Sequence, residues 1–169
     1  TVIVKTHLPF DEVPYHEKDK FIIVVRDPKD VVPSTYHFLS AVALGPAVPP
    51  LAATVQSQIL GIMAPEGHWA LAADQAWRAR NKPNVLLLFY EDMVADLSAT
   101  VDKVAKFMGV ALTRDEFERV VKVASFPWMK QNSIYFDTGV QSPLSAGGEM
   151  IRSGKASKGA ELSEEQRQA

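Results

Sequence analysis

The sequence predicts an α/β domain: a three-layer arrangement in which a parallel sheet is flanked by helices. Three observations carry this. Short apolar runs, continuous rather than alternating and rich in β-branched residues, recur along the chain, as in strands covered on both faces. Segments of helical spacing lie between and after them, so the strands require crossover connections and pair in parallel. The composition is that of one globular domain of 169 residues, 47% hydrophobic and 22% charged, too apolar and too nearly neutral for disorder.

Val2–Val4 is the first predicted strand and Phe21–Val25 the second. Asp27-Pro28 places a capping residue before a helix-initiating proline, predicting a helix through about Leu39. From Val31 to Pro65 there is no Asp, Glu, Lys or Arg. Gly45, Pro46, Pro49 and Pro50 interrupt that stretch, and no unbroken apolar run approaches the ~20 residues of a membrane span. It reads as a helix end followed by an apolar, Pro-rich loop, either packed on the domain or closing over an apolar ligand. Trp69, Ala72, Ala73, Ala76, Trp77 and Arg80 fall at helical spacing. Val85–Phe89 is the third predicted strand. Val94, Leu97, Val101, Val104, Ala105 and Met108 form a helical stripe that Gly109 terminates. Thr113 with Glu116 is a capping-box signature before the stripe Phe117, Val120, Val121 and Ala124. After Gln131 the periodicity dissolves, and glycines are scattered through residues 132–160, which predicts a long functional or mobile loop. No internal repeat divides the chain, so residues 1–169 read as a single domain.

The same counts exclude several classes. Without cysteine there is no disulfide framework, thiol nucleophile or Cys-ligated zinc, which suits a reducing, cytoplasmic compartment. A net charge of −2 gives no footprint for wrapping nucleic acid. Thr1 runs at once into a strand-like segment, with no Met and no signal peptide, so the domain is expected to be truncated at its N-terminus.

Ligands of open parallel sheets bind beyond the carboxyl ends of the strands, and the polar residues of interest follow those ends. Lys5 and His7 follow the first predicted strand, Arg26 the second, Tyr90 and Glu91 the third. Singly, each also has an ordinary structural role open to it: His7 as a loop histidine, Arg26 paired with Asp27 or Asp30, Ser34 as a helix serine, Tyr90 as a core aromatic. Together they support definite chemistry. Arg26 before a helix N-terminus suits a phosphate clamp, and Ser34 on that helix can donate a further hydrogen bond. His7 suits removal of a hydroxyl proton near neutral pH. Lys5 can stabilise charge on a transferred anionic group. The set points to group transfer from a nucleotide-like donor to an alcohol or phenol.

These motifs resemble a known family, the cytosolic sulfotransferases. Lys5-Thr6-His7-Leu8-Pro9-Phe10 resembles their catalytic-histidine segment. Arg26-Asp27-Pro28-Lys29-Asp30, with Ser34 eight residues after the arginine, resembles their R-N-P-K-D 3′-phosphate motif. Leu88-Phe89-Tyr90-Glu91-Asp92-Met93 is similar to their L-F-Y-E-D-M strand end. Ser125-Phe126 with Met129-Lys130-Gln131-Asn132 resembles T-S-F-x-x-M-K-x-N, and Ile151-Arg152-Ser153-Gly154-Lys155 resembles the late loop ending in R-K-G.

The resemblance implies a partial P-loop NTPase-related sulfotransferase fold and a sulfotransferase as the activity. Its donor would be 3′-phosphoadenosine 5′-phosphosulfate (PAPS), its product 3′-phosphoadenosine 5′-phosphate (PAP), and no metal is implied. His7 would be the catalytic base, with Lys5 beside the sulfuryl group. Arg26 and Ser34 would hold the 3′-phosphate. Tyr90 and Phe126 would border the adenine, and Ser125 would belong to the same cofactor-binding segment. Arg152, Ser153 and the Gly154 backbone would close over the 3′-phosphate from the loop at residues 132–160. The uncharged stretch after Val31 suggests a small, apolar hydroxyl acceptor; neither a nucleic acid partner nor a membrane span is expected.

There are departures. The family's P-K-S-G-T-T-W phosphosulfate loop does not occur upstream of Thr1 in this chain, Ala124 replaces a threonine, and Ser153 stands at the middle lysine of R-K-G, where Lys155 could substitute. The tryptophan after that loop is missing. The chain stops about where the family adds a last helix, so a C-terminal truncation is also expected. The dimer motif is not recognisable between Lys158 and Arg167, which leaves a homodimer open. Two other readings stand beside the enzyme: a non-catalytic relative that binds the bisphosphate nucleotide without turnover, and an unrelated metal-dependent nucleotide kinase fragment.

Overall fold

Two strands, β1 (Phe21–Val25) and β2 (Val85–Phe89), pair in parallel, with Phe21 opposite Val85 and Val25 opposite Phe89. The computed structural model describes residues 2–59, 69–136, 151–154, 156 and 159–168. Along the chain the helices are α1 (Pro28–Phe38), α2 (Leu51–Ile59), α3 (Trp69–Ala79), α4 (Tyr90–Ala95), α5 (Leu97–Met108), α6 (Arg114–Ala124), α7 (Phe126–Gln131) and α8 (Glu164–Gln168). The connection from β1 to β2 therefore carries helices, as parallel pairing requires. Helix α3 packs against both strands. The family expectation of an α/β fold with helices against a parallel sheet holds for the part present.

The core follows from the two strand sequences. Val85, Leu86 and Leu88 of β2 are buried with Ala76 and Ala79 of α3. Ile22 and Val24 of β1 remain partly exposed, at 42% and 51%, so one face of β1 is uncovered among the described residues. Asn84, itself buried, fastens the strand entries together. Its carbonyl accepts from the Phe21 amide at 2.9 Å, its Nδ2 donates to the Asp19 carbonyl at 2.9 Å, and its Oδ1 accepts from the Tyr15 hydroxyl at 2.8 Å. The rings of Phe10, Tyr15 and Phe21 pack around this junction.

Several local expectations are met. Asp27 caps α1, its carboxylate accepting from the Lys29 amide at 2.8 Å, with Pro28 in the first turn. Thr113 and Glu116 form a reciprocal capping box on α6. The two hydrogen bonds from Thr113 hold the Glu116 carboxyl below its ordinary range. Gly109 ends α5 at φ 73°, in the left-handed region that glycine enters without steric cost.

Three expectations are corrected. Val2–Val4 is not a strand: the segment is irregular and its side chains are 87%, 84% and 81% exposed. A strand needs a neighbour to satisfy its backbone groups, and among the described residues the sheet has only β1 and β2. The uncharged stretch after Val31 is mostly helical rather than a loop. Helix α1 widens into a π-helical turn at Leu39–Leu44, Gly45–Ala47 forms a 3-10 turn, and α2 begins at Leu51. Pro46 sits in the first turn of its element and Pro49-Pro50 just before α2, where a missing N–H costs nothing. Residues 60–68 lie outside the described residues. The stripe beginning at Val94 is split, because Asp96 leaves the helical region and caps α5 through the Ala99 amide at 2.8 Å. Of the predicted loop at 132–160, Ser133–Phe136 is a 3-10 turn, and residues 137–150 lie outside the described residues.

Candidate functional site

The parallel register fixes the first half of the site. Val25 lies opposite Phe89, so the next residues of each strand, Arg26 and Tyr90, emerge side by side at the carboxyl edge. The Arg26 guanidinium stands 4.3 Å from the Tyr90 ring centroid, a cation–π pair. Asp30, one helical turn on and buried, lies 3.7 Å from the same guanidinium. The turn into α1 is held from both sides. The Trp69 indole donates to the Arg26 carbonyl at 3.0 Å, and the Asp27 amide donates to the Glu91 carboxylate at 3.0 Å. Arg26 thus sits on a fixed backbone at the head of an 11-residue helix, whose N-terminus adds positive potential.

The second half comes from the late segment. Ser125 caps α7, accepting from the Trp128 amide and donating to the Lys122 carbonyl at 2.7 Å. This presents Phe126 in the first turn. Gly154, at φ 61°, lies close against that ring: a Cβ there would be 2.2 Å from Phe126 Cδ2. Lys130 of α7 donates to the Ile151 carbonyl at 2.7 Å. Residues 151–154 are therefore docked on α7.

The late segment also crosses α1. The Gly159 amide donates to the Asp30 carboxylate at 3.1 Å. Glu161 receives Arg152 at 3.2 Å on one oxygen and His37 at 2.6 Å on the other. The hydrogen bond from His37 holds the Glu161 carboxyl below its ordinary value near 4.5 against the opposing effect of burial, and the lesser hydrogen bond from Arg152 adds to the lowering. Asp30, Ser34 and His37 are spaced as one face of a helix. The segment is thus pinned at two points of the face that carries Ser34, which is exposed.

Of the sequence-predicted residues, the structure joins Arg26 with Tyr90, and Phe126 with Gly154. Ser125 acts as the cap that sets Phe126, Arg152 is held by Glu161, and Ser153 is exposed. Lys5 and His7 are exposed on the irregular segment before buried Pro9, and no strand aims them. Sequence reasoning missed the Trp69 contact, the His37–Glu161 pair and the tie from Asp30 to Gly159, having offered Asp30 only as a partner for Arg26, a pairing the structure shows. The missed partners lie 43 to 129 residues apart, and no local pattern signals such contacts. Among the described residues, no group of three or more His, Asp or Glu is gathered as a metal site would need. Among them also, no single helix is long and apolar enough to cross a membrane; Pro28–Ala47 and Leu51–Ser57 reach that length only as a pair bent by 116°.

Chemically, the arrangement is a guanidinium stacked on an aromatic at a helix head, with a docked loop that brings a second arginine. Such an arrangement has the chemistry to receive an anion beside an aromatic ring. The family described as Sulfotransferase domain matches residues 1–169. The chain is 35% identical over 136 residues to rat (Rattus norvegicus) Sulfotransferase 2A6, covering 78% of this chain and 47% of the relative. It is 35% identical over 133 residues to human (Homo sapiens) Sulfotransferase 1E1, covering 77% and 45%. The chain spans about half the length of the curated relatives it matches. A crystal structure of retinol dehydratase with retinol and PAP superposes with a TM-score of 0.80 at 25% identity, covering 96% of this chain and 49% of that one. The same enzyme with androsterone and the inactive cofactor PAP also gives 0.80 at 25% identity, covering 96% and 48%.

Proposed function

The chain belongs to the sulfotransferase domain family, and from that premise we propose that the protein moves a sulfuryl group from PAPS to the hydroxyl of a small, apolar acceptor. The observation that carries this reading is Arg26, fixed at the head of α1 and stacked on Tyr90. A guanidinium at a helix N-terminus matches a phosphate, and the neighbouring ring offers a face to a base. Ser34 adds a hydroxyl on the same helix. Phe126 offers a second ring, and Arg152 with the Gly154 backbone closes the phosphate from the docked loop. PAP in the retinol dehydratase structures, together with retinol or androsterone, supports both the nucleotide and the acceptor class. The absence of cysteine suits the reducing cytoplasm, where we place the protein.

The transfer is a single displacement. His7 takes the proton of the acceptor hydroxyl as its oxygen attacks sulfur. The bond from sulfur to the 5′-phosphate oxygen breaks in line, and PAP leaves with the electron pair. Lys5 stabilises charge on the group in transit. General-base catalysis is worth about 10²- to 10⁴-fold. His7→Ala should therefore cut acceptor-dependent release of PAP from PAPS by at least about 10²-fold, while PAP affinity stays unchanged. A retinoid, a sterol and a simple phenol serve as acceptors. Wild-type turnover in His7→Ala sinks the base assignment. PAP binding without release in the presence of any acceptor would instead favour the non-catalytic reading.

A further inference from the structure

We infer that Glu161 is a positioning residue: anchored by His37 of α1, it holds Arg152 over the helix face that carries Ser34 and so sets the preference for a 3′-phosphorylated nucleotide. This rests on the reading of Arg26, Ser34 and Arg152 as the 3′-phosphate site.

The geometry carries it. Arg152 stands on a short irregular segment, with its side chain 48% exposed. A free arginine there would sample many rotamers, and fixing them opposes ligand binding. Glu161 removes that cost in advance. One carboxylate oxygen accepts from Arg152 at 3.2 Å while the other meets His37 Nε2 at 2.6 Å. His37 lies three residues beyond Ser34 on α1, roughly 4.5 Å of helix rise. The carboxylate thus bridges the loop arginine to the turn next to Ser34. A second tie, from the Gly159 amide to Asp30 one turn before Ser34, fixes the backbone two residues before Glu161. Leu162 is buried beside it, so the Glu161 turn is anchored rather than loose. A negative charge so near a phosphate site would repel the ligand if it stood alone. Here it is matched by Arg152.

The test compares calorimetric affinities of the chain for PAP and for adenosine 5′-monophosphate, which lacks the 3′-phosphate. Their ratio reads the 3′-phosphate preference. Wild type should favour PAP. Glu161→Ala should lower that ratio about tenfold through PAP alone, as expected for loss of one preorganised charged contact. Glu161→Asp should restore part of it. Arg152→Ala/Glu161→Ala should be no weaker than Arg152→Ala alone, because the glutamate acts through the arginine. Hydrogen exchange of the unliganded variant should quicken at 151–154 and 159–162 and stay normal in β1 and β2, which excludes misfolding. Equal loss for both nucleotides would make Glu161 merely structural and overturn the inference. Tighter PAP binding in Glu161→Ala would also overturn it, since the carboxylate would then be competing with the phosphate. Absence of any PAP preference in wild type would instead overturn the 3′-phosphate site itself, before any variant is compared.

Discussion

Gly154→Ala should pry the 151–154 segment off α7. The backbone there has φ 61°, a left-handed conformation that costs a residue with a Cβ about 1–2 kcal/mol. The added methyl would sit 2.2, 2.4 and 2.7 Å from three atoms of the Phe126 ring. Ordinary carbon contacts lie at about 3.5–4.0 Å, so ring and backbone must separate by roughly 1.3 Å or more. The Ser125 cap fixes the Phe126 backbone at the start of α7, so only rotation of its ring could relieve the overlap in place. Release of the segment is the cheaper response, and it forfeits the Lys130 hydrogen bond to Ile151, worth about 1 kcal/mol net. The expected loss in denaturant unfolding is thus about 1–3 kcal/mol. Amide exchange should rise at 151–154 and at the start of α7, with little change in β2. PAP binding should weaken about tenfold as Arg152 is carried away. In the same background, Phe126→Ala removes the overlap and leaves only the backbone cost, so it should recover part of the stability. An unchanged unfolding midpoint together with unchanged exchange at 151–154 would refute the packing argument.

Two further predictions concern the ties around α1. Glu161 has its folded carboxyl pKa depressed, first by the His37 hydrogen bond and then by Arg152. Its stabilising contribution is therefore present above the ordinary value near 4.5 and lost as pH falls through the lower folded value. As pH is lowered from neutral to well below the ordinary value near 4.5, the stability difference between wild type and Glu161→Gln should shrink. A difference independent of pH across that range would contradict the assignment. Asp27→Ala removes the cap of α1 and should cost about 1 kcal/mol, with Asp27→Asn recovering most of it; equal stability of all three proteins by urea denaturation would show that the cap is not made.

The sequence disclosed what local chemistry encodes. Asp27-Pro28, Thr113 with Glu116, and Gly109 announced their helix ends because capping is settled within a few residues. The continuous apolar runs at Phe21–Val25 and Val85–Phe89 announced a parallel pair, and the register then brought Arg26 beside Tyr90. Val2–Val4 has the same composition yet forms no strand, because pairing depends on a neighbour that composition does not report. Pro49-Pro50 looked like a breaker but precedes the first turn of α2, where proline is tolerated. The break at Asp96 was hidden because Val94 and Leu97 keep helical spacing across it. The His37–Glu161 and Asp30–Gly159 contacts span 124 and 129 residues. They follow from the late segment folding back over α1, which no window of sequence contains.

The most direct measurement is a calorimetric titration of the chain with PAP, run beside Arg26→Ala. The account predicts saturable binding by the wild type. Charge-assisted hydrogen bonds are worth about 1.5–3 kcal/mol, so Arg26→Ala should bind roughly 10- to 100-fold more weakly. Binding of equal strength in both proteins, or no binding by either, would contradict the claim that Arg26 at the head of α1 is the core of a 3′-phosphate site.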